Sequence, residues 1–278
     1  MLTDYLKKWL KPTPEEPRFE PDPEPRQQPE NYQGNVAFSR LLTSNTLELG
    51  IAFPGELPPQ YLAGQYLNLV LPEDKENGLR RELRSYSLFS HPKDGGPLRI
   101  IAKLISGGRS SEWLRKLGEG DPVSVEAPLG SFHLKRPLHT HLYFVVTGTG
   151  IVPIRAMLRE LIETGAIQNR SVTLLWGLRT EEDLFGREEY RDWASQYTAF
   201  EQIVTLSGAN DSWSGARGRV TDYLKAQPIN IDDSQVYLCG NGAMVDEVIE
   251  LLESQGLPRR SGRVFCEKFF DSPRSQQS

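Results

Sequence analysis

The apolar residues between about positions 34 and 138 occur in short, β-rich runs that alternate with polar positions. Glycine and proline turns separate these runs, as expected for short antiparallel strands. The predicted strands are Asn35–Leu42, Gln65–Leu71, Arg84–Phe89, Leu98–Leu104 and Pro122–Glu126. One short helix is predicted at Ser111–Lys116. The pattern of this region therefore indicates an antiparallel barrel.

A different rhythm begins near position 139, where each buried apolar run is followed by a helical one. The predicted strands are His141–Val146, Ser171–Trp176, Phe200–Thr205, Val236–Cys239 and Val264–Glu267. The predicted helices lie near Pro153–Thr164, Phe185–Tyr197, Val220–Ala226 and Ala243–Gln255. This alternation favours a doubly wound parallel sheet with helices on both faces.

The first 33 residues differ from both of these regions. Residues 1–12 contain a short amphipathic stretch, and the segment that follows is rich in proline and glutamate, which is typical of an extended linker. The amphipathic stretch either docks weakly on a membrane surface or a protein partner, or folds back onto its own domain. We therefore expect an extension over 1–33, a barrel over 34–138 and a nucleotide-binding domain over 139–278.

Composition narrows the possible functions of the chain. The 278 residues suit two domains, and a net charge of −5 argues against nucleic acid as the main partner. The two cysteines, Cys239 and Cys266, are too few for an iron–sulfur cluster and suggest no disulfide framework. The histidines lack the spacing of a metal site. Because no membrane-spanning run or signal peptide is visible, we expect a cytoplasmic protein.

Two glycine-containing loops follow predicted parallel strands. Thr147-Gly148-Thr149-Gly150 joins a buried strand to a helix, so its glycines allow a close approach of the backbone to a pyrophosphate at the helix N-terminus. The loop Cys239-Gly240, with Met244 shortly after it, ends another parallel strand, where ligands of open α/β sheets bind. The alternatives are a tight turn that binds no ligand and a cysteine that is simply a small buried residue.

The barrel carries a second set of candidate residues. On the strand Arg84-Ser85-Tyr86-Ser87, alternation places Arg84 and Tyr86 on one face and the two serines on the other. Arg84 suits a phosphate, Tyr86 a flat ring and Ser87 a ring nitrogen. The turn Gly107-Gly108-Arg109-Ser110-Ser111 opens the short helix and could form an anion-binding nest. Taken alone, the strand could equally be a solvated barrel face.

In this order, the motifs resemble those of the ferredoxin–NADP reductase family, from about residue 34 to residue 270. The resemblance implies a six-stranded antiparallel Greek-key FAD barrel followed by a doubly wound nucleotide-binding domain. By that resemblance, Arg84 binds the flavin pyrophosphate, Tyr86 packs on the isoalloxazine and Ser87 lies at its N5 edge. The other FAD-side residues that the resemblance implies are Ser85, Gly108, Arg109, Ser110 and Ser111. Ile101 and Lys103 are further expected cofactor-binding residues.

The final segment, Val264 to Phe270, resembles the ending of the bacterial oxygenase-reductase branch, which has a similar Glu-Lys-Phe. The resemblance implies that this tail contacts the flavin, with Glu267 relaying protons together with Ser87, and Phe269 covering the ring. By the same resemblance, Cys239 guides the nicotinamide. Ser87, Cys239 and Glu267 are therefore the expected catalytic residues. The alternative is an ordinary hydrophobic last strand.

The implied activity is hydride transfer from NAD(P)H to FAD, followed by single-electron transfer to a separate carrier, expected to be a ferredoxin. Arg80, Arg81 and Arg84 are candidates for part of its basic docking patch. A cytochrome, a quinone or free flavin are alternative acceptors, and a non-catalytic electron-conduit or nucleotide-binding subunit is the alternative of another class. The choice of NADPH or NADH stays open. Arg179, Ser207 and Arg219 match residues of NADP-specific relatives, but Gly208 stands where those relatives often have another arginine, and NADH-using relatives can also keep Arg179.

Overall fold

A computed structural model describes residues 28–54, 59–73, 78 and 80–269 of the chain. The amphipathic stretch over 1–12 and Phe270 of the expected tail lie outside these residues. Within the described ranges, no helix is long and apolar enough to cross a membrane.

The first half of the chain forms a six-stranded antiparallel sheet in the order β4-β3-β6-β1-β2-β5. Its elements are β1 (Glu30–Thr43), β2 (Thr46–Ala52), β3 (Tyr66–Leu71), β4 (Glu82–Ser87), β5 (Leu98–Lys103), α1 (Arg109–Lys116) and β6 (Pro122–Leu129). A bridge between Leu88 and Ile100 joins the two edge strands and closes the sheet into a barrel. Apolar side chains such as Leu49, Leu67 and Val125 fill its interior and are completely buried.

The second half forms a six-stranded parallel sheet in the order β10-β9-β8-β7-β11-β12. Its strands are β7 (His141–Thr147), β8 (Ser171–Leu178), β9 (Phe200–Leu206), β10 (Ala216–Arg217), β11 (Ser234–Asn241) and β12 (Val264–Phe269). Its helices are α2 (Ile151–Glu163), α3 (Arg187–Gln196), α4 (Val220–Ala226) and α5 (Gly242–Ser254). The strand order reverses between β7 and β11, and this switch point is where an open α/β sheet forms its ligand crevice.

The alternation of strands and helices was predicted correctly, but two strands were not predicted and several boundaries were wrong. Strand β2 was missed because it contains Glu48 and Gly50, which are unusual in a buried strand. Both have a local explanation: Arg40 pairs with the buried Glu48 carboxylate at 2.6 Å, and a Cβ on Gly50 would lie 2.4 Å from the ring of Phe38. The two-residue strand β10 was also missed.

The boundary of the expected N-terminal extension is also corrected by the structure. Strand β1 begins at Glu30, inside the segment expected to be linker, because Glu30 pairs with Ala127 at the far end of β6. Helix α1 begins at Arg109 rather than at Ser111. The expected boundary after residue 138 precedes β7, which begins at His141.

Candidate functional site

Strand β4 presents its two faces as the alternation predicted. Arg84 lies opposite Leu69 and Tyr86 opposite Leu67, whereas the Ser85 hydroxyl points to the other face and donates to Asn68 Oδ1 at 2.7 Å. Tyr86 is half-buried against the barrel core and its hydroxyl hydrogen-bonds Ser110 in the first turn of α1. Burial raises the pKa of Tyr86, so the phenol stays neutral. The hydroxyl of Ser85 is therefore engaged within the sheet, on the face opposite Tyr86.

The two arginines expected to bind flavin phosphates meet at one carboxylate that the sequence did not single out. Glu82 pairs with Arg84 through one oxygen and with Arg109 Nη1 at 3.1 Å through the other. Arg109 also donates to the carbonyl oxygens of Arg80 at 2.8 Å and Pro72 at 2.7 Å. Arg109 thus orders the chain that leads into β4, while the side chain of Arg84 is 46% exposed and open to a ligand.

The turn before α1 is closed from within by Ser111. Its hydroxyl accepts the Ile105 N–H at 2.8 Å and the residue is buried, so this side chain shapes the turn rather than facing a phosphate. The N-cap residue is Gly108, and among the described residues no side chain caps this end of the helix. Within the described part of the chain, the first N–H groups of α1 thus have no side-chain acceptor at the cap, as an anion-binding helix start requires.

These elements fit a flavin dinucleotide. Two large apolar side chains, Leu83 and Ile105, are 43% and 45% exposed on the segments that carry the arginines. Exposed apolar surface on these segments, together with the partly buried ring of Tyr86 and the exposed side chain of Arg84, is what a cofactor with flat rings and a pyrophosphate needs. Arg84, Tyr86, Ser87 and the start of α1 are thus the residues that would hold FAD.

Strand β12 brings Glu267 to the end of β4. The Glu267 carboxylate hydrogen-bonds the hydroxyl of Ser87, which is itself buried. Burial raises the pKa of Glu267 to about 7, and the Ser87 hydrogen bond offsets only part of this effect. The structure therefore brings together the two residues expected to relay protons, one from each sheet. The Glu267 carboxyl group can take up or release a proton near neutral pH.

Cys239 lies next to Glu267 in the sheet but is completely buried. It belongs to the core cluster against which Phe269 also packs. Burial raises the pKa of the Cys239 thiol well above its ordinary value, so the group is neutral. The side chain of Cys239 is therefore part of the core, as the alternative of a small buried residue predicted.

The expected nucleotide turn lies at the switch point of the parallel sheet. A Cβ on Gly150 would lie 2.2 Å from the Cys239 carbonyl oxygen, so the glycine allows β7 and β11 to approach closely. Gly240 has a φ of +137° and its Cα lies against Thr147. The Thr147 hydroxyl accepts the Asn241 N–H at 3.1 Å and joins the ends of the two strands. Gly240 therefore has a spacing role in this contact.

A cavity of about 830 Å³ opens at these strand ends. The expected residues that line it are Thr147, Gly148, Thr149, Arg179, Ser207, Arg219 and Met244. Arg179, Ser207 and Arg219 are exposed, and Arg219 approaches Glu247 only at 4.0 Å. A cavity of this size with two arginines suits a dinucleotide, because its phosphates need cationic or N–H partners.

The two residues of β5 that were expected to bind a cofactor lie in different surroundings. Lys103 lines the nucleotide cavity, where its ammonium group pairs with Asp183 at 2.9 Å and donates to Asn45 Oδ1 at 2.7 Å. Lys103 is thus a residue of the nucleotide side, contributed by the barrel. Ile101 is buried in the core that the barrel shares with the parallel sheet, so its side chain is not exposed at a cofactor site.

Sequence reasoning missed several residues of this cavity. Asn241 begins helix α5, where its side-chain oxygen accepts the N–H groups of Ala243 at 2.9 Å and Met244 at 3.2 Å. An asparagine just before a helix is a recognisable cap, so this residue could have been found. Asp183 and Thr46 carried no such signal, because only the tertiary structure brings them to the cavity.

Comparison with known proteins agrees with this geometry. Residues 35–134 match the oxidoreductase FAD-binding domain and residues 144–250 match the oxidoreductase NAD-binding domain. The chain is 32% identical to ferredoxin–NADP reductase B of Sorangium cellulosum, over 85% of this chain and 98% of that protein. It is 30% identical to the toluate 1,2-dioxygenase electron transfer component of Pseudomonas putida, over 86% of this chain and 67% of that protein.

A solved structure shares the whole arrangement of the two sheets. The ferredoxin NADP⁺ reductase of Neisseria gonorrhoeae, which contains FAD and NADP, superposes with a TM-score of 0.76 at 21% identity and covers 87% of this chain and 100% of its own. By contrast, the chain spans only 59–67% of the length of several oxygenase reductase components. On the matched domains and the similarity to the Sorangium protein, the chain belongs to the ferredoxin–NADP reductase family and is an FAD-dependent oxidoreductase that uses a nicotinamide nucleotide.

Proposed function

We propose that this reductase takes a hydride from NADPH and delivers electrons singly to a separate ferredoxin-type protein. The observation that carries the proposal is the Ser87–Glu267 contact, which joins the end of β4 to the edge of the parallel sheet that holds the dinucleotide cavity. FAD, when bound, supplies the conversion between a transferred electron pair and single electrons.

Each group of residues has a distinct role in the proposed reaction. Thr147 and the Gly148–Gly150 turn bind the nucleotide, with N–H groups at the start of α2 facing its pyrophosphate. Ser87 and Glu267 hold a proton at a carboxylate whose pKa of about 7 allows either protonation state at neutral pH. Phe269 packs against the core cluster that contains Cys239 and excludes water from this edge of the sheet.

NADPH is favoured over NADH by the charge of the cavity. Arg179 and Arg219 are exposed at its rim together with the Ser207 hydroxyl. Guanidinium and hydroxyl groups bind the 2′-phosphate that NADPH carries. NADH has a neutral ribose hydroxyl at this position, which two cations do not stabilise. The Sorangium relative, whose length the chain matches over 98%, is itself named a ferredoxin–NADP reductase.

A ferredoxin-type acceptor is proposed from the relatives and from local charge. The relatives include electron transfer components of oxygenase systems. Arg80 and Arg81 are exposed just before β4, the flavin strand, where they provide local positive charge. The whole chain, by contrast, carries a net charge of −5. A local basic patch can steer an acidic carrier to this end of the barrel despite an acidic overall surface.

The test is anaerobic mixing of the FAD-loaded protein with each nucleotide, followed by addition of candidate acceptors. We expect the flavin absorbance to be bleached faster by NADPH than by NADH, and an added ferredoxin to be reduced at low ionic strength and more slowly at high salt. A protein that takes up no FAD, or that is bleached by neither nucleotide, would refute the proposal. Preferential turnover with a cytochrome, a quinone or free flavin would refute its acceptor.

A further inference from the structure

Arg155 occupies the seam between the barrel and the parallel sheet. The seam is defined here as the contact of residues 89–94, which follow the flavin strand, with helix α2. Arg155 lies on α2, about one turn after the glycine turn of the nucleotide site, and its side chain is only 6% exposed. A guanidinium is rarely buried without several partners, because its desolvation is costly.

The partners of Arg155 come from both sides of the seam. Nη1 donates to the carbonyl oxygen of Phe89 at 3.1 Å and to Asp94 Oδ2 at 2.8 Å, both in the barrel. Nε and Nη2 donate to Glu189 of α3, at 3.1 Å and 2.6 Å. One planar group therefore connects the segment after β4 to two helices of the parallel-sheet unit, with fixed directions for each bond.

Further contacts hold the barrel side of this connection. Two guanidinium groups contact the Phe89 ring, with Arg155 at 4.7 Å and Arg99 at 5.0 Å from its centroid. Asp94 accepts the His91 N–H at 2.9 Å and pairs with Arg99 at 3.1 Å. Burial would raise the pKa of Asp94, but these hydrogen bonds and cations together lower it to about 2. The carboxylate therefore stays charged throughout the working pH range.

The position of this network in the chain gives it a consequence for the reaction. Phe89 follows Ser87 by two residues, and Arg155 follows Gly150 by five, so the two ends of the network are tied to the flavin strand and to the nucleotide turn. Hydride transfer requires reacting atoms about 3–3.5 Å apart, and a misplacement of about 1 Å costs on the order of 100-fold in rate. A displacement between the flavin strand and the nucleotide turn would therefore change a distance on which the rate depends.

The seam does not depend on Arg155 alone for its existence. His91 Nε2 lies 2.7 Å from Glu160 Oε2 of α2, and the Cα of Gly64 packs closely against Met157. If Arg155 is removed, Asp94 keeps Arg99 and Arg159, and the Glu189 side chain is 32% exposed and can turn to water. Loss of Arg155 should therefore shift the two units relative to each other rather than separate them.

We propose that Arg155 is a positioning residue for hydride transfer, which holds the flavin strand and the nucleotide turn at the reacting distance through Phe89, Asp94 and Glu189. This role rests on the proposed function. It predicts that a change at Arg155 lowers the rate of the chemical step, while the affinities for nucleotide and FAD stay nearly unchanged.

The variants are Arg155→Met, which keeps the apolar length, and Arg155→Lys, which keeps the charge but not the planar fork. Arg159→Met is the matched control, because Arg159 lies on the same helix and also pairs with Asp94, at 3.4 Å, but is not bonded to Phe89. Rapid mixing with NADPH gives the limiting rate of flavin bleaching and the nucleotide dissociation constant. The long-wavelength charge-transfer absorbance reports how closely nicotinamide and flavin stack.

For Arg155→Met we expect a limiting rate lowered about 10- to 100-fold, a dissociation constant within about threefold and a weaker charge-transfer band. We expect an intermediate rate for Arg155→Lys and a rate within about twofold of the wild type for Arg159→Met. A folded, FAD-replete Arg155→Met protein with the wild-type rate and charge-transfer band would overturn the proposal. So would a loss confined to nucleotide affinity.

A second readout needs no turnover. Amide hydrogen exchange of the FAD-free protein should be faster at residues 87–94 in the Arg155 variants than in Arg159→Met, and equal exchange in all of them would contradict the link. If Arg155→Met does not fold, Asp94→Ala removes the carboxylate acceptor on the barrel side and leaves the Phe89 carbonyl in place. It should lower the limiting rate in the same direction. If the wild type is bleached by neither nucleotide, the proposed function fails, whereas the exchange experiment still decides whether Arg155 joins the two units.

Discussion

Replacing Glu267 with glutamine should remove a pH dependence of stability that the wild-type protein has. Burial raises the pKa of Glu267 from its ordinary value of 4.5 to about 7 in the folded protein. Between these two pH values the folded chain holds a proton at this carboxyl group that the unfolded chain has released. The stability contributed by Glu267 is therefore fully present below pH 4.5 and is lost as the pH rises towards 7.

The size of the effect follows from the pKa difference. At about 1.4 kcal/mol for each unit of pKa, the wild type should lose about 3 kcal/mol of unfolding free energy between pH 4.5 and 8 through this group. Glutamine has the same shape but no charge to bury, so the Glu267→Gln protein lacks this loss. The variant should accordingly be the more stable of the two at pH 8.

The assay is denaturant unfolding of the cofactor-free wild type and variant, followed by tryptophan fluorescence at several pH values from 5 to 8. The matched control is Glu250→Gln on α5, which makes the same chemical change at an exposed position. The difference in unfolding free energy between Glu267→Gln and wild type should grow with pH, while the Glu250→Gln difference stays nearly constant. Parallel pH curves for wild type and Glu267→Gln would refute the reasoning about burial.

Three further predictions concern the Ser87–Glu267 contact, the nucleotide turn and the nucleotide cavity. Ser87→Ala should raise the pKa of Glu267 further, because it removes the hydrogen bond that favours the charged form, and a carboxyl resonance that titrates at or below pH 7 would contradict this. Gly150→Ala should destabilise the protein by about 2 kcal/mol or more, since its Cβ would lie 2.2 Å from a carbonyl oxygen of β11. The control Gly148→Ala, whose Cβ would meet no described atom within 4 Å, should cost about 1 kcal/mol because of its φ of +54°. Equal melting temperatures of the two variants would count against the close approach at Gly150. Arg179→Ala should raise the KM for NADPH about tenfold and leave that for NADH unchanged, and an equal effect on both nucleotides would exclude a 2′-phosphate contact.

The sequence alone was sufficient for the features that depend on local chemistry and on order along the chain. The period of apolar residues distinguishes the antiparallel half from the alternating half, because side chains of strands and helices repeat at different intervals. The flavin-binding strand was recognised from the spacing of Arg84, Tyr86 and Ser87 along it. The turn after β7 was recognised from the spacing of Gly148 and Gly150. Their order along the chain was enough to indicate the family.

Tertiary structure decided which side chains meet. Lys103 pairs with Asp183, 80 residues away, and therefore belongs to the nucleotide cavity, whereas Ile101, two residues earlier on the same strand, is buried in the shared core. The burial of Cys239, and the network that surrounds Arg155, likewise depend on how the two sheets pack against each other. Local sequence carries no record of these contacts, because their free energy comes from surfaces that only the folded chain brings together.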